Sequence, residues 1–538
     1  MTEYPIQERT FQRLLLDKAA KNGERTFLLF EDRRTSYAEL ERITRIMANR
    51  FRELGVAPGD RVATLMNNCP ELLFAYLALA RMGAVAVPVN TAARGEQLVY
   101  YLDQSGSSML LAEQALVDRF LAVQARTPKV RALFVLDEAG AGPDVSARAA
   151  MPVRDFRTLE RGSDAPFESP ARFSDLSHIS YTSGTTGPSK GNMATHAHTI
   201  VQGKVIADAF GFRSDDVLYT CLPLLHGNAL LACVVPALLA DAAVALSRRF
   251  SASGFWNEVR RYEATQFNLL GAMVNIVWSQ PPSPADRDHR VRQTMAVPVS
   301  ADIYEAFQER FGITITAVYA LSDFGMAAVK GPDAPREKIG SAGVPAPGME
   351  IRIVDDDDMP LPPGEVGEIV LRSHEPWFAP LGYYDMPEAS WRTWRGLWFH
   401  TGDRGYLDAD GWLYFVDRKK DAIRRRGQNI SSYEVEQIIL RHPAVQDVAV
   451  YAVKSEMSED EVMATVVLRP GERLDERGLI AFCQENMAYF MAPRYVEFRE
   501  DMPRTASEKV QKYKLREEAE ARLGELWDRE KAGIKLKK

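Results

Sequence analysis

The stretch Tyr181-Thr182-Ser183-Gly184-Thr185-Thr186-Gly187-Pro188-Ser189-Lys190-Gly191 decides how the rest of the chain is read. An apolar run over 176–181 has the composition of a buried strand, and it opens into hydroxyls, glycines and one lysine before a new segment starts at Asn192. Glycines let backbone N–H groups approach a bound group closely, hydroxyls add donors, and the lysine adds a point charge, so the loop is built to hold phosphate. Gly184, Gly187 and Lys190 fall three apart, whereas a Walker A loop needs four residues between its first glycine and the Gly-Lys pair. A Ser/Gly linker is a poor reading too, because linkers seldom follow a buried strand directly and end on a lone lysine.

Working outward, 538 residues are too many for one ordinary core, and two or more domains are expected. The composition, 46% hydrophobic and 26% charged, is that of a globular protein. A net charge of −7 argues against a nucleic-acid partner. Arg424-Arg425-Arg426 and Lys535-Leu536-Lys537-Lys538 are short basic runs of the kind that face solvent. Cys69, Cys221, Cys233 and Cys483 have neither zinc-site nor disulfide spacing, which fits a reducing compartment. The start, Met1-Thr2-Glu3-Tyr4-Pro5, has no basic region followed by an apolar one, and the most apolar stretch, 229–246, is broken by Pro236 and Asp241. No signal peptide and no membrane span are expected, and the protein is placed in the cytoplasm.

Before the loop, Ser36-Tyr37-Ala38-Glu39 is a capping box, after which Leu40, Ile43, Met47, Phe51 and Leu54 recur at helical spacing up to Gly55. A strand over 61–66, a helix over 70–82 and a strand over 84–89 follow, then a helix near 97–104 and a strand over 109–112. That order describes parallel βαβ construction. The segment 138–175, rich in Pro, Gly, Ala and Asp without a period, reads as surface connection. After the loop another αβ series runs over 196–318, and 348–371 changes to short β-rich runs with Pro/Gly turns, a small antiparallel or barrel-like unit. Its Asp355-Asp356-Asp357-Asp358 reads as a solvated turn, since ligand loops space their acids. A break at 417–421 precedes a helix near 433–441, strands over 445–453 and 462–468, and a helix over 476–486. The expected fold is therefore α/β. A large N-terminal domain, 1–416, combines βαβ-type sheets with a small β-barrel-like unit, and a small mobile α+β domain, 417–538, follows.

Four further segments stand at separated places: Leu222-Pro223-Leu224-Leu225-His226-Gly227, Tyr319-Ala320-Leu321-Ser322-Asp323, Trp398-Phe399-His400-Thr401-Gly402-Asp403 and Pro503-Arg504-Thr505-Ala506-Ser507-Glu508-Lys509. With the phosphate loop and in this order, they resemble the adenylate-forming superfamily of acyl-CoA synthetases, luciferases and peptide-synthetase adenylation domains, across nearly the whole chain. The resemblance implies that Thr182, Ser183, Gly184, Thr185, Thr186, Gly187 and Lys190 hold the phosphates of ATP. Tyr319 would stack on adenine, Ser322 would meet the α-phosphate and Asp323 would bind Mg2+. Asp403 would accept both ribose hydroxyls, as a carboxylate suits a vicinal diol. Arg418 would add a ribose or phosphate contact. His226 would lie beside the substrate carboxylate, Lys509 would bridge carboxylate and α-phosphate, and Lys420 would be the hinge of the C-terminal domain. Gly427 would leave room in the tunnel through which the thiol acceptor enters; Arg424 either meets an anion there or is solvated.

Ala320, Asp323 and Glu508 depart from the superfamily's Gly, Glu and Gly at those positions. The segments 269–274, 280–283 and 482–487 look most like crotonobetaine/carnitine-CoA ligases. A quaternary ammonium wants an aromatic cage or an acid, whereas the expected pocket offers Met273, Val274, Ile276, Val297 and Pro298. A small to medium apolar or aromatic carboxylic acid is expected as the small-molecule partner. The implied reaction joins the acid to ATP as acyl-AMP with pyrophosphate release, then transfers the acyl group to CoA. Two alternatives stay open: adenylation with a non-CoA acceptor, such as a carrier protein or an aryl amine with nitrite, and a nucleotide-binding regulatory protein with weakened catalysis. The sequence also leaves a homodimer open.

Overall fold

The computed structural model describes residues 4–137, 145–182, 188–278, 280–297, 299, 301–418, 422–426, 428–454, 459–503, 510 and 512–537. Two sheets with helical layers carry the large part of the chain. The seven-stranded sheet runs in the order Val153–Asp155, Ala132–Leu136, Met109–Glu113, Arg61–Leu65, Val85–Pro88, Leu176–Thr182, Lys190–Thr195. All neighbours are parallel except the last pair. Its central strands are apolar on both faces, as a sheet covered on both sides requires: Val62 faces the middle layer and Ala63 and Leu65 the outer one. The nine-stranded sheet is parallel from Thr314–Leu321 across to Thr26–Phe30 and closes with antiparallel strands at both edges.

Between the two sheets lie the helices Phe11–Asn22, Tyr37–Glu53, Pro70–Met82 and His196–Ala209, which share one continuous core with both. The capping box at Ser36 forms: its hydroxyl accepts the Glu39 N–H while the Glu39 carboxylate accepts the Ser36 N–H. The segment 138–175 is more than surface connection, because Val153–Asp155 is an edge strand and Phe156 and Leu159, which follow it, are fully buried. Three residues of strand are too short to show a period. The small antiparallel unit is a four-stranded meander, Met349–Val354, Gly367–Ser373, Phe399–Leu407 and Leu413–Arg418. Its last strand carries Asp417 and Arg418, so pairing with the preceding sheet continues past the break expected after 416.

In the C-terminal part, Val445–Lys454, Asp460–Leu468, Tyr495–Arg499 and Trp527–Asp528 form a sheet with two covered faces. One face packs the helices Ser432–Ile439 and Glu476–Asn486 and also takes in Ala92 from the N-terminal part. The opposite face packs the helix Lys512–Ala521, together with Met502 and Val510. No helix among the described residues is long and apolar enough to cross a membrane.

Candidate active site

Lys190 does not end a loop. It begins the second strand of a hairpin and pairs in register with Thr182, so a strand fixes the backbone of the one cation in the phosphate-binding stretch. Next to it, a side chain on Gly191 would come within 2.8 Å of Ile179 and 3.4 Å of the Tyr181 ring, which explains the glycine. The Lys190 ammonium lies 4.4 Å from the centre of the Tyr383 ring. Burial lowers its pKa and the nearby Asp323 carboxylate partly restores it. The Tyr383 hydroxyl in turn donates to Asp323 Oδ2 at 2.5 Å. Asn192, two residues further along the strand, donates to the Ser322 carbonyl at 3.1 Å, while its own Oδ1 is buried without a partner among the described residues. These contacts bring Lys190, Ser322 and Asp323 together at one end of a large cavity.

Asp403 joins the same end from the meander. Thr401 and Asp403 make a turn in which the Asp403 N–H donates to the Thr401 hydroxyl at 3.0 Å, and Gly402 between them has φ +70°, which glycine adopts without strain. Tyr319 and Asp403 are both buried, and the Tyr319 hydroxyl donates to Asp403 Oδ2 at 2.8 Å. A hydrogen bond to a buried carboxylate is worth about 1.5–3 kcal/mol, so each side chain fixes the other. Arg418 is the register partner of Asp403 across the meander.

At the other end the lining turns apolar. Met273, Val297 and Ile276 line the cavity, but Val274 does not: it is fully buried in the core beneath the nine-stranded sheet. On the helix Gly271–Trp278, residues three apart share a face and Val274 turns away from it. His226 directly precedes the short helix Gly227–Ala229 and lines the cavity. Burial lowers its imidazole to about 4, which keeps it neutral near pH 7.

The C-terminal part closes the cavity with Arg424, Arg426, Gln428, Tyr489 and Phe490. Its attachment uses the exit of the phosphate-binding stretch: the Ser189 hydroxyl and the Gln97 amide both donate to the Glu434 carboxylate, each at 3.0 Å. Burial raises the pKa of Glu434. Ser183, Gly184, Thr185, Thr186, Gly187, Pro298, Lys420, Gly427 and Lys509 lie outside the described residues. The segments flanking Lys509, at Met502 and Val510, pack on the sheet face opposite to the one that takes in Ala92.

Tyr383, Asn192 and Glu434 went unnoticed in the sequence. Tyr383 sits in a Gly-Tyr-Tyr run far from Asp323, and nothing in its spacing signals a contact there. Among the described residues no group of three or more His, Cys, Asp or Glu side chains gathers as a metal cage. Asp323 has one oxygen engaged by Tyr383, leaving the other for a cation that would take its remaining ligands from phosphates and water, the mode Mg2+ favours. The cavity volume, about 2100 Å3, is more than twice that of an ordinary single-ligand pocket, so a nucleotide, an acid and part of an acceptor have room side by side.

Comparison with known proteins gives two family matches, AMP-binding enzyme over residues 15–384 and AMP-binding enzyme C-terminal domain over 434–509. A crotonobetaine/carnitine–CoA ligase of Salmonella paratyphi A is 34% identical, over 93% of this chain and 97% of the relative. Among solved structures, an o-succinylbenzoate-CoA synthetase of Bacillus subtilis bound to a product analogue aligns with TM-score 0.81 and 26% identity over 93% of this chain and 97% of that one. An amide bond synthetase of Marinactinospora thermotolerans aligns with TM-score 0.80 and 26% identity, over 94% and 99%.

Proposed function

The chain belongs to the AMP-binding enzyme family and is an AMP-forming ligase, and from that premise we propose that it activates a carboxylic acid with ATP and Mg2+ as acyl-AMP and passes the acyl group to CoA. The observation that carries this reading is the juxtaposition at one cavity end of Lys190, Ser322, Asp323, Tyr319 and Asp403. ATP lies with its ribose on Asp403 and its adenine along Tyr319. Lys190 would meet its phosphates, and Asp323, with one carboxylate oxygen engaged by Tyr383, would hold a Mg2+ that neutralises them. A carboxylate oxygen of the acid attacks the α-phosphorus in line, forming a P–O bond as the bond to pyrophosphate breaks. Because two anions must meet, the work falls on cations and positioning. Lys190 and, in the arrangement used for adenylation, Lys509 supply positive charge, and neutral His226 orients the incoming carboxylate.

In the second step the CoA sulfur attacks the acyl carbon and AMP leaves. The arrangement seen here suits that step. The side of the C-terminal domain that carries Arg424, Arg426 and Gln428 lies against the cavity, and the segments flanking Lys509 pack on the far face. A turn about Lys420 then exchanges the two faces, so one pocket serves both half-reactions. The domain boundary on this reading follows the end of the meander at Arg418 rather than 416.

The amide bond synthetase among the structural neighbours keeps a second acceptor class in view. Incubating the protein with ATP, an acid panel including nitrite, and in turn CoA, a carrier protein and an aryl amine, with mass analysis of products, tests the reading. A CoA thioester with AMP and pyrophosphate is expected. An amide, a diazonium product or carrier loading in its place removes the CoA step, and ATP binding without pyrophosphate release for any acid points to a regulatory protein.

A further inference from the structure

The cavity contains a buried cation that the chemistry above does not use. Lys330 ends the strand Gly325–Lys330, is 4% exposed and lines the cavity. Its ammonium lies 4.8 Å from the centre of the Tyr304 ring, and among the described residues no carboxylate pairs with it. Burial alone draws its pKa down to about 8. Elsewhere in the same chain a comparably buried lysine is treated differently: Lys18, 1% exposed, meets the Asp241 carboxylate at 2.7 Å and the Leu239 carbonyl at 2.9 Å.

A second polar group comes from the turn that packs on the end of this strand. The Ser341 hydroxyl is buried, lines the same cavity and has no hydrogen-bond partner among the described residues. The turn that carries it is pressed onto the strand end, since a Cβ on Gly343 would fall 2.2 Å from the Val329 backbone. Tyr304 contributes only its ring face, because its hydroxyl is spent on the Ile315 carbonyl at 3.0 Å. A buried ammonium and an orphaned hydroxyl are each costly unless a ligand completes them. Their place is at the far end of the strand from Asp323: Gly325 to Lys330 spans about 17 Å at strand rise. Between the two ends the same strand presents the apolar Met326 to the cavity, whose lining also includes Val299 and Ala342.

Building on the ligase reading, we propose that the acid activated here is a dicarboxylic acid, one carboxylate reacting at the phosphate end and the other bound by Lys330 and the Ser341 hydroxyl across an apolar or aromatic spacer. The same ammonium repels an acid whose far end is a quaternary ammonium. The test sets dicarboxylic acids of graded length against their monomethyl esters. It reads acid-dependent pyrophosphate release and acid-induced thermal stabilisation in wild type, Lys330→Met, Lys330→Arg and Ser341→Ala. Wild type is expected to favour the best diacid over its half-ester by about 10-fold or more in kcat/KM, the worth of a charge-assisted hydrogen bond. That ratio should collapse toward one in Lys330→Met, persist in Lys330→Arg and fall partway in Ser341→Ala. Equal use of diacid and half-ester by wild type overturns the proposal and needs no variant to fold. An unchanged ratio in Lys330→Met with a raised KM for ATP also overturns it, by assigning the lysine to the nucleotide. Diacid stabilisation that is lost in Lys330→Met, without pyrophosphate release from any acid, keeps the anion site and removes the ligase reading instead.

Discussion

The two ends of the cavity are built differently. At the nucleotide end the polar side chains hold one another before any ligand arrives: Tyr319 donates to Asp403, Tyr383 to Asp323 and Asn192 to the Ser322 carbonyl. At the acid end the side chains are mostly apolar, and the polar ones, Lys330 and Ser341, have no such partners among the described residues. Preorganised donors and charges serve a step common to every substrate, whereas an incomplete polar pair waits for one particular ligand. Changes at the first end should therefore depress all acids alike, and changes at the second should reorder them.

The largest effect expected is from Lys509→Ala. If Lys509 is the cation proposed to act on the α-phosphate, its removal should cost at least about 100-fold in acid-dependent pyrophosphate release, equally for every acid. Thioester formation from supplied acyl-AMP and CoA should survive. Loss of both half-reactions would contradict the use of two faces of the C-terminal domain.

Acid pH should strike the nucleotide end next. His178, His196 and His198 are buried on the hairpin and helix behind it, and burial holds them neutral, at about 3, 4 and 4. A histidine depressed in the folded state stabilises fully above its unfolded value near 6.5, and this stability is lost as pH falls toward the folded value. A drop from 6.5 to about 4 corresponds to about 3 kcal/mol per group. Urea unfolding followed from pH 7 to pH 4.5 should show stability falling throughout, with ATP-induced stabilisation lost first; a flat profile would deny these histidines their buried, neutral state.

Tyr319→Phe should raise KM for ATP by about 10-fold, the worth of one buried hydrogen bond to a carboxylate, and leave the ranking of acids unchanged. A reordered ranking would show that the two ends are not separate. The smallest effect is expected from Glu434→Gln, which keeps the shape but weakens the contact with Ser189 and Gln97. Thioester formation should slow by only a few-fold, on the order of 1 kcal/mol, while adenylation measured without CoA stays unchanged.

The same contrast explains what could be read from the amino-acid order. The nucleotide end is assembled from short contiguous runs, so Lys190, Tyr319, Ser322, Asp323 and Asp403 stand out as segments, and the strand, helix and capping-box signals before the loop match the observed elements closely. Lys190 was expected in a loop because glycines and hydroxyls dominate its surroundings. The hairpin partner that makes it a strand residue lies across the loop and leaves no local pattern. The acid end is assembled from single residues on different elements. Met273 and Val274 are both apolar, and only the helix's rotation decides which one lines the cavity and which one packs in the core. Lys330 belongs to none of the sequence motifs; its burial comes from Tyr304 and from the turn around Gly343, which no local spacing encodes.

Exchange of labelled pyrophosphate into ATP, measured with each acid in the absence of CoA, tests the central claim most directly. Acid-dependent exchange is predicted, abolished in Lys509→Ala and falling off when CoA is added as the acyl-AMP is drawn into thioester. Formation of ADP, or no exchange with any acid while ATP still binds, would contradict activation through an acyl adenylate.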